Sequence, residues 1–482
     1  MNLIILPNQL FPIKLIQKKI KNIEHIYLIE EPRFFTDFKF HKLKIMYHRA
    51  SMKKYKDNLK ITVTYIDYYN VTNSLYEKLN TNKTYYFNPI DHALFNKFKK
   101  HLNKAHIVNG INFLLTPDEI IENKNVFYKN NKYSHDNFYK FQRQRLDILM
   151  KDNKPVGNKW SFDTMNRKAL PRGIKIPLIP KNKKDKYYVE ALGYVEKHFS
   201  SNYGSTTEWT FPIDTNNAIK WLKNFINKRL GNFGPYEDAV DTNNPFLFHS
   251  VLSPMMNIGI LPDILVVKIT NDYKHTNVSL ASYEGFIRQV IGWRNYVYSI
   301  YMLEPDMYNN NYLKCHNKIN DNYWTATTNI KPIDAIITNI IKYSYMHHIE
   351  RLMYLGNWFL INSIDPKEVH RIFMEWTVDA YDWAMVPNVM GMSQYADGGK
   401  MMTRIYFSSS NYIDKMSTFK KHKNEQWWKI WDAIYYSFIN KNIKILENNY
   451  ATSRQVIHWK NKTSTEKTKL LQLAAMSLNH IK

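Results

Sequence analysis

The sequence predicts an α/β domain with a parallel sheet, followed by an all-α domain. Two observations predict it: short apolar runs alternate with amphipathic stretches over residues 1–125, and almost every long apolar pattern from 187 to 482 has helical spacing. Between 126 and 186 the pattern breaks into polar, proline-containing sequence, which reads as an interdomain connection. Three units are expected: 1–125, 126–186 and 187–482.

Strand candidates are 3–6, 26–29, 61–65 and 84–87, with an amphipathic helix over 46–59. That rhythm belongs to βαβ units. The connection holds one helix, 139–150, and ends in the basic run 181–186. Helices are then expected over 218–230, 282–302, 333–360 and 366–383. No internal repeat is visible, and low-complexity sequence is confined to Asn/Lys/Tyr-rich loops such as 308–312.

The 482 residues are 44% hydrophobic, enough for a sizeable core, which excludes a wholly disordered chain. Lys and Arg number 67 against 42 acids, a net charge of +25 that favours polyanionic partners. Nucleic acid is the first such partner and an anionic membrane surface the second; a lysine-rich compositional bias gives the same surplus. The single cysteine, Cys315, excludes an intramolecular disulfide and any cysteine-ligated zinc or iron–sulfur centre. No metal site is expected, and a reducing, intracellular compartment fits: cytoplasm, nucleus and viral particle are not distinguished. The apolar start at Met1–Pro7 is short and lacks a basic lead, so it reads as a strand and not as a signal peptide. No run approaches the ~20 apolar residues of a membrane span. A soluble monomer is expected.

The helical half carries Phe233-Gly234-Pro235-Tyr236-Glu237-Asp238-Ala239, a segment from Leu247-Phe248-His249-Ser250 through Ser253-Pro254 to Gly259, and Tyr283-Glu284-Gly285-Phe286-Ile287-Arg288-Gln289 continuing to Trp293-Arg294. Further on stand His347-His348-Ile349-Glu350-Arg351 and Ala396-Asp397-Gly398-Gly399-Lys400; Glu30-Glu31-Pro32-Arg33 and Trp160-Ser161-Phe162-Asp163 precede them. In order and over nearly the whole chain, these resemble the photolyase and cryptochrome superfamily, in the branch of iron–sulfur bacterial cryptochromes and photolyases. One departure is large. Ala335, Lys420, Lys423 and Lys429 stand where the branch's four cluster cysteines are expected, so the resemblance does not extend to an iron–sulfur cluster, and the C-terminal helices are expected to be held by packing around Trp427, Trp428 and Trp431.

The resemblance implies FAD, with Ser250, Ser253, Met256, Asn257 and Arg288 around it. On pattern alone, Ser253-Pro254 reads equally as a helix cap followed by proline at the first helical position; the resemblance makes 250–259 the diphosphate site, where free N–H groups favour a phosphate. It also implies an ion pair between Arg351 and Asp397 beside the flavin ring, with Gly398 and Gly399 allowing close backbone approach.

His347 and His348 project about 100° apart on a helix, which does not make a one-face metal pair. In relatives that repair the (6-4) photoproduct, the second histidine of a His-His-x-x-Arg motif faces the lesion as proton donor, and His348 matches it. The further histidine of eukaryotic enzymes is Leu352 here. Gln289 matches a residue reaching both flavin and damaged base, though a place on the helix surface is as open to it. Trp324, Trp376 and Trp383 are expected to carry electrons from the surface. The segment 383–392 is expected to be a loop forming an apolar wedge, and Lys415, Lys420, Lys421 and Lys423 a phosphate-binding rim.

Together these imply a light-driven DNA photolyase acting on UV-damaged DNA, with the (6-4) photoproduct preferred over the cyclobutane dimer. A cryptochrome-like photoreceptor is the alternative, disfavoured because the chain ends soon after the helical domain. A basic nucleic-acid-binding protein with a dead flavin site is disfavoured by the presence of Arg351, Asp397, Ser253 and Gln289. An antenna chromophore is implied for the first domain, but its identity stays open because 30–42 departs from the lumazine-binding pattern.

Overall fold

The computed structural model describes residues 1–273 and 278–481. Five strands, β1 (Asn2–Ile5), β2 (His25–Ile29), β3 (Thr62–Ile66), β4 (Thr84–Phe87) and β5 (His106–Val108), form a parallel sheet in the order β3-β2-β1-β4-β5. Leu3 of β1 pairs with Ile26 on one side and Tyr85 on the other. Leu3, Ile4 and Ile5 are wholly buried, as a strand covered on both faces must be. The edges are more polar: Thr62 and Thr64 are exposed on β3, and β5 is only three residues long, too short for its period to show in the sequence.

Helix Lys42–Asn58 is buried continuously from Leu43 to Met52, with a second helix, Lys186–His198, packed along it. The two are joined through charge. Arg49 pairs with Glu30, Asp67 and Glu190, and the Tyr194 hydroxyl donates to Glu30 at 2.7 Å.

The remainder is helical, with breaks that hydrophobic spacing alone does not reveal. The expected helix 333–360 stops after Lys331–Tyr343 because Ser344 takes a left-handed φ of 53°, donating its hydroxyl to the Trp376 carbonyl and accepting the Val378 N–H. The expected helix 366–383 ends at Trp376, and a new one begins at Asp382. The expected loop 383–392 is in fact helical: Asp382–Val386 runs into the π-helical turn Pro387–Ser393. Two further π-helical turns, Arg288–Arg294 and Glu350–Gly356, interrupt otherwise α-helical runs. Such wide turns concentrate at functional sites.

Trp431, on helix Trp427–Lys441, lies wholly buried 4.9 Å from the equally buried Trp358 and donates to the Ser408 carbonyl. Trp427 is buried beside it, whereas Trp428 is half-buried. Among the described residues no helix is long and apolar enough to cross a membrane.

The two domains meet along a polar seam. The Leu10 N–H donates to the Ile258 carbonyl at 2.9 Å and the His41 N–H to the Glu375 carbonyl at 2.7 Å, while Arg33 pairs with Asp91 and Asp382.

Trp431→Ala empties a fully packed position and is expected to cost about 3–5 kcal/mol. The check is the denaturant midpoint of the helical domain beside that of the unaltered chain.

Candidate active site

A cavity of about 750 Å³ opens in the helical domain, within the ~300–1,000 Å³ range of small-molecule and cofactor sites. Its walls come from 249–257, from the three π-helical turns and from 402–416. The wider π turns hold Gln289, Trp293, Arg351, Asn388 and Met392 at the wall.

At the back of the cavity Asp379 joins three segments. Its Oδ1 accepts from Arg351 Nη2 at 2.5 Å, its Oδ2 from the Ser253 hydroxyl at 2.6 Å, and its backbone carbonyl from Asn257 Nδ2 at 2.7 Å. Arg351 also donates to the Met346 carbonyl. The expected pair of Arg351 with Asp397 is therefore corrected to Arg351 with Asp379. Asp397 instead ties its own loop, accepting from the N–H groups of Gly399 at 2.9 Å and Met401 at 2.7 Å, and burial pushes its carboxyl up to about 6. None of Asp397, Gly398 and Gly399 lines the cavity. Gly398, with φ +70°, is needed because a Cβ there would meet the Tyr312 ring at 2.9 Å.

Ser253 makes no capping bond: helix Ser253–Asn257 follows Leu252 with no side-chain cap, and the serine hydroxyl is spent on Asp379. Just before it Val251 holds φ +55°, a conformation that costs a non-glycine residue about 1–3 kcal/mol. Both flanks fix it, since the Ser250 carbonyl accepts from Trp221 Nε1 and Ser253 is bound to Asp379. Met256 and Asn257 complete this wall, Asn257 also accepting from Arg294.

Arg288 sits among Asp163 at 3.2 Å, Glu284 at 3.3 Å and Glu237 at 3.7 Å. Burial raises the Glu237 carboxyl to about 8 despite that cation.

His347 and His348 divide as adjacent helical residues do. His347 is buried, stacks on His249 with ring centroids 4.2 Å apart, and lies 3.6 Å from Glu350. His348 opens to the cavity with its ring 6.2 Å from Trp293. Enclosure by the walls, then the Arg351 charge, lower its pKa to about 4, so the imidazole is neutral at pH 7 while the cavity holds no anion.

Trp324 and Trp376 meet edge to face at 5.6 Å, with Tyr203 at 5.1 Å and 6.1 Å from them. Trp376 is one turn from Phe373, which lines the cavity, and Trp324 is partly exposed, so the pair spans from near the wall to the surface. Trp383 stands apart, in the wall against Phe113 and Arg294. Of the four expected rim lysines, only Lys415 reaches the cavity; Lys420, Lys421 and Lys423 do not line it, and Lys421 is held by Asn411 at 2.5 Å. Arg404 and Arg167 join Lys415 there.

Sequence reasoning missed Asp379 because 376–383 was absorbed into a helix. The signal was an Asp-Ala-Tyr-Asp stretch, two poor helix formers in a run otherwise apolar.

Residues 3–211 match the family of deoxyribodipyrimidine photo-lyase-related proteins. A protein of Agrobacterium fabrum described as a (6-4) photolyase is 36% identical over 331 residues, which are 67% of this chain; the match spans 65% of that relative's length. A bacterial class III photolyase from Agrobacterium tumefaciens superposes with a TM-score of 0.57 at 14% identity, covering 99% of this chain and 98% of its own. A cryptochrome from Synechocystis does so with a TM-score of 0.56 at 12% identity, covering 100% and 99%. At those identities the two structures speak for the fold alone. The chain belongs to the photolyase and cryptochrome superfamily.

Asp379→Ala leaves Arg351 buried without its carboxylate, and is expected to cost about 3–5 kcal/mol. Chemical denaturation should show that loss, with a smaller one for Asp397→Ala, whose carboxylate bonds only neutral N–H groups of its own loop.

Proposed function

We infer that this chain is a light-driven DNA photolyase that binds FAD in the 750 Å³ cavity and repairs the (6-4) photoproduct. One observation carries the lesion assignment: His348 opens into the same chamber as the Arg351–Asp379 pair and Gln289. The (6-4) photolyase relative supports the same choice.

The residues present fit the cofactor. Beyond size, the cavity walls hold buried polar atoms with no partner among the described residues, Arg294 Nη2, His249 Nε2 and Asn388 Oδ1, which a ligand rich in donors and acceptors would satisfy. Ser250, Ser253, Met256, Asn257, Arg288 and Arg351 would hold it, with Asp379 fixing Arg351 and Ser253 in place. Bound and reduced, the flavin would supply the photochemistry, an electron lent to the lesion and returned.

The chain's own residues do the rest. Restoring both bases moves a hydroxyl or amino group from one ring to the other, and that transfer needs a proton donor beside the migrating group. His348 is neutral in the free cavity. Beside an anionic reduced flavin and DNA phosphates its imidazole would hold a proton more readily, because nearby negative charge favours the imidazolium. It can then donate its proton to the migrating group and recover one afterwards. Gln289 presents an amide, with both a donor and an acceptor, to uncharged pyrimidine edges. Trp376 and Trp324 give an oxidised flavin a route to electrons from the surface. Arg404 and Lys415, which make no ion pair among the described residues, are placed to meet phosphates; Lys420 and Lys423 extend the basic surface beyond them. The antenna stays unassigned: the cleft between the domains encloses only about 10 Å³, roughly one water's worth of space.

The deciding experiment illuminates the fully reduced protein with oligonucleotides carrying either lesion and resolves the products by chromatography. (6-4) repair is expected, abolished in His348→Ala while flavin photoreduction survives. Cyclobutane repair alone would overturn the lesion assignment, no repair of either would favour a photoreceptor, and a fully active His348→Ala would remove the proton donor.

Binding to DNA should weaken steeply with salt. In an Arg404→Gln/Lys415→Gln variant, the slope of log K against log salt should fall by about 0.9 for each lost phosphate contact. An unchanged slope in fluorescence-anisotropy titrations would place the DNA elsewhere.

A further inference from the structure

Lys44 is 1% exposed, on the sheet domain's helix Lys42–Asn58, and has no carboxylate within ion-pair distance among the described residues. A buried ammonium without an anionic partner is costly and calls for compensation. Here two carbonyls provide it: Nζ donates to Met374 at 3.0 Å and to Ala380 at 2.7 Å. Met374 lies in the last turn of helix Pro366–Trp376, where carbonyls have no partner within the helix and the dipole favours a cation. Ala380 follows Asp379 directly. The two bonds therefore bracket residues 375–379, from the end of that helix into the turn that carries Asp379, and hold them from the opposite domain.

We propose that Lys44 is the positioning residue by which the α/β domain sets Asp379, and through it Arg351 and Ser253, at the flavin wall. This rests on the flavin reading above. The charge matters as well as the bonds. Burial lowers the Lys44 pKa to about 7, with Asp379 and Asp382 raising it and Arg351 and Arg33 opposing them. The other groups around it are the Phe40 ring at 4.4 Å, the Tyr381 ring at 5.4 Å, His48, which burial keeps neutral, and Asp91 of its own domain, which lines the same interdomain cleft. An unprotonated amine retains two N–H groups and can keep both carbonyls. Raising the pH through 7 thus removes the charge and leaves the clamp. Below that pH the cation adds to the positive field of Arg351, which favours an anionic flavin.

The test uses the full-length protein with FAD as probe, comparing wild type, Lys44→Met and Lys44→Arg for FAD dissociation constant, flavin midpoint potential and circular dichroism. Lys44→Met should keep its helical spectrum and bind FAD at least about tenfold more weakly, the scale of ordinary coupling between sites, with Lys44→Arg recovering most of the loss. The midpoint potential of wild type should lie above that of Lys44→Met at about pH 6, and the gap should shrink by about pH 9 as Lys44 loses its proton. Wild-type affinity in Lys44→Met, or a gap equal at both pH values, overturns the proposal. If Lys44→Met does not fold, Lys44→Arg decides: it stays charged, so its potential should match wild type at the lower pH and exceed it at the higher, and a match at both overturns the proposal. A wild-type chain that takes up no FAD defeats the flavin reading and this inference together; wild-type uptake with unaffected variants defeats this inference alone.

Discussion

The cavity depends on one carboxylate. Asp379 carries no helix and belongs to a five-residue turn, yet it fixes Arg351 from one π-helical turn, Ser253 from a short helix and, through its carbonyl, Asn257 at that helix's end. Asp379 lies 28 residues from Arg351, 126 from Ser253 and 122 from Asn257, so no local preference brings them together. A buried arginine left unpaired is far costlier than one paired, and that difference is what makes the arrangement specific. Val251 shows the same economy, since its left-handed backbone is tolerated only between two anchored neighbours.

The sheet domain contributes more than a platform. Its central strands are apolar enough to be covered on both faces, and Arg33 from a short 3-10 turn, His41 from the start of helix Lys42–Asn58 and Lys44 from its first turn reach the helical domain. All three engage the stretch from 341 to 382, the part of the helical domain that leads into the cavity's back wall. The seam is polar because it must grip backbone carbonyls at helix ends, which apolar side chains cannot do.

Much of this was legible in the sequence. β1, β2 and β4 show as apolar runs, because a doubly covered parallel strand has little polar content to disguise it, while β3 at the polar edge shows through its β-branched and aromatic residues, and the residues at Ser253, Gln289, His348 and Arg351 were reachable through their motifs and do line one chamber. What stayed hidden depends on interactions between distant segments. Hydrophobic spacing continues through Ser344 and through Thr377, while the chain there turns on bonds to remote backbone groups. Asp397 drew attention by its glycine neighbours, whose positive φ serves only to close their own loop past Tyr312 and Tyr395. Asp379, with no such punctuation, carries the pair instead. The rim residue Arg404 was missed because a single isolated cation has no pattern, whereas the basic run at 420–423 has one and does not line the cavity.

The three π-helical turns bear on how this protein can change. Each holds one more residue per turn than an α-helix would, so the register of everything downstream is offset by the angular step of one residue, about 100°. Removing a single amino acid within 288–294, 350–356 or 387–393 would let the helix close into ordinary α geometry and swing the following wall residues toward the core. Exchanging a side chain at these places alters one contact; losing a codon there would re-aim a whole wall, which makes chain length in these three segments as tightly constrained as the identity of the residues that face the chamber.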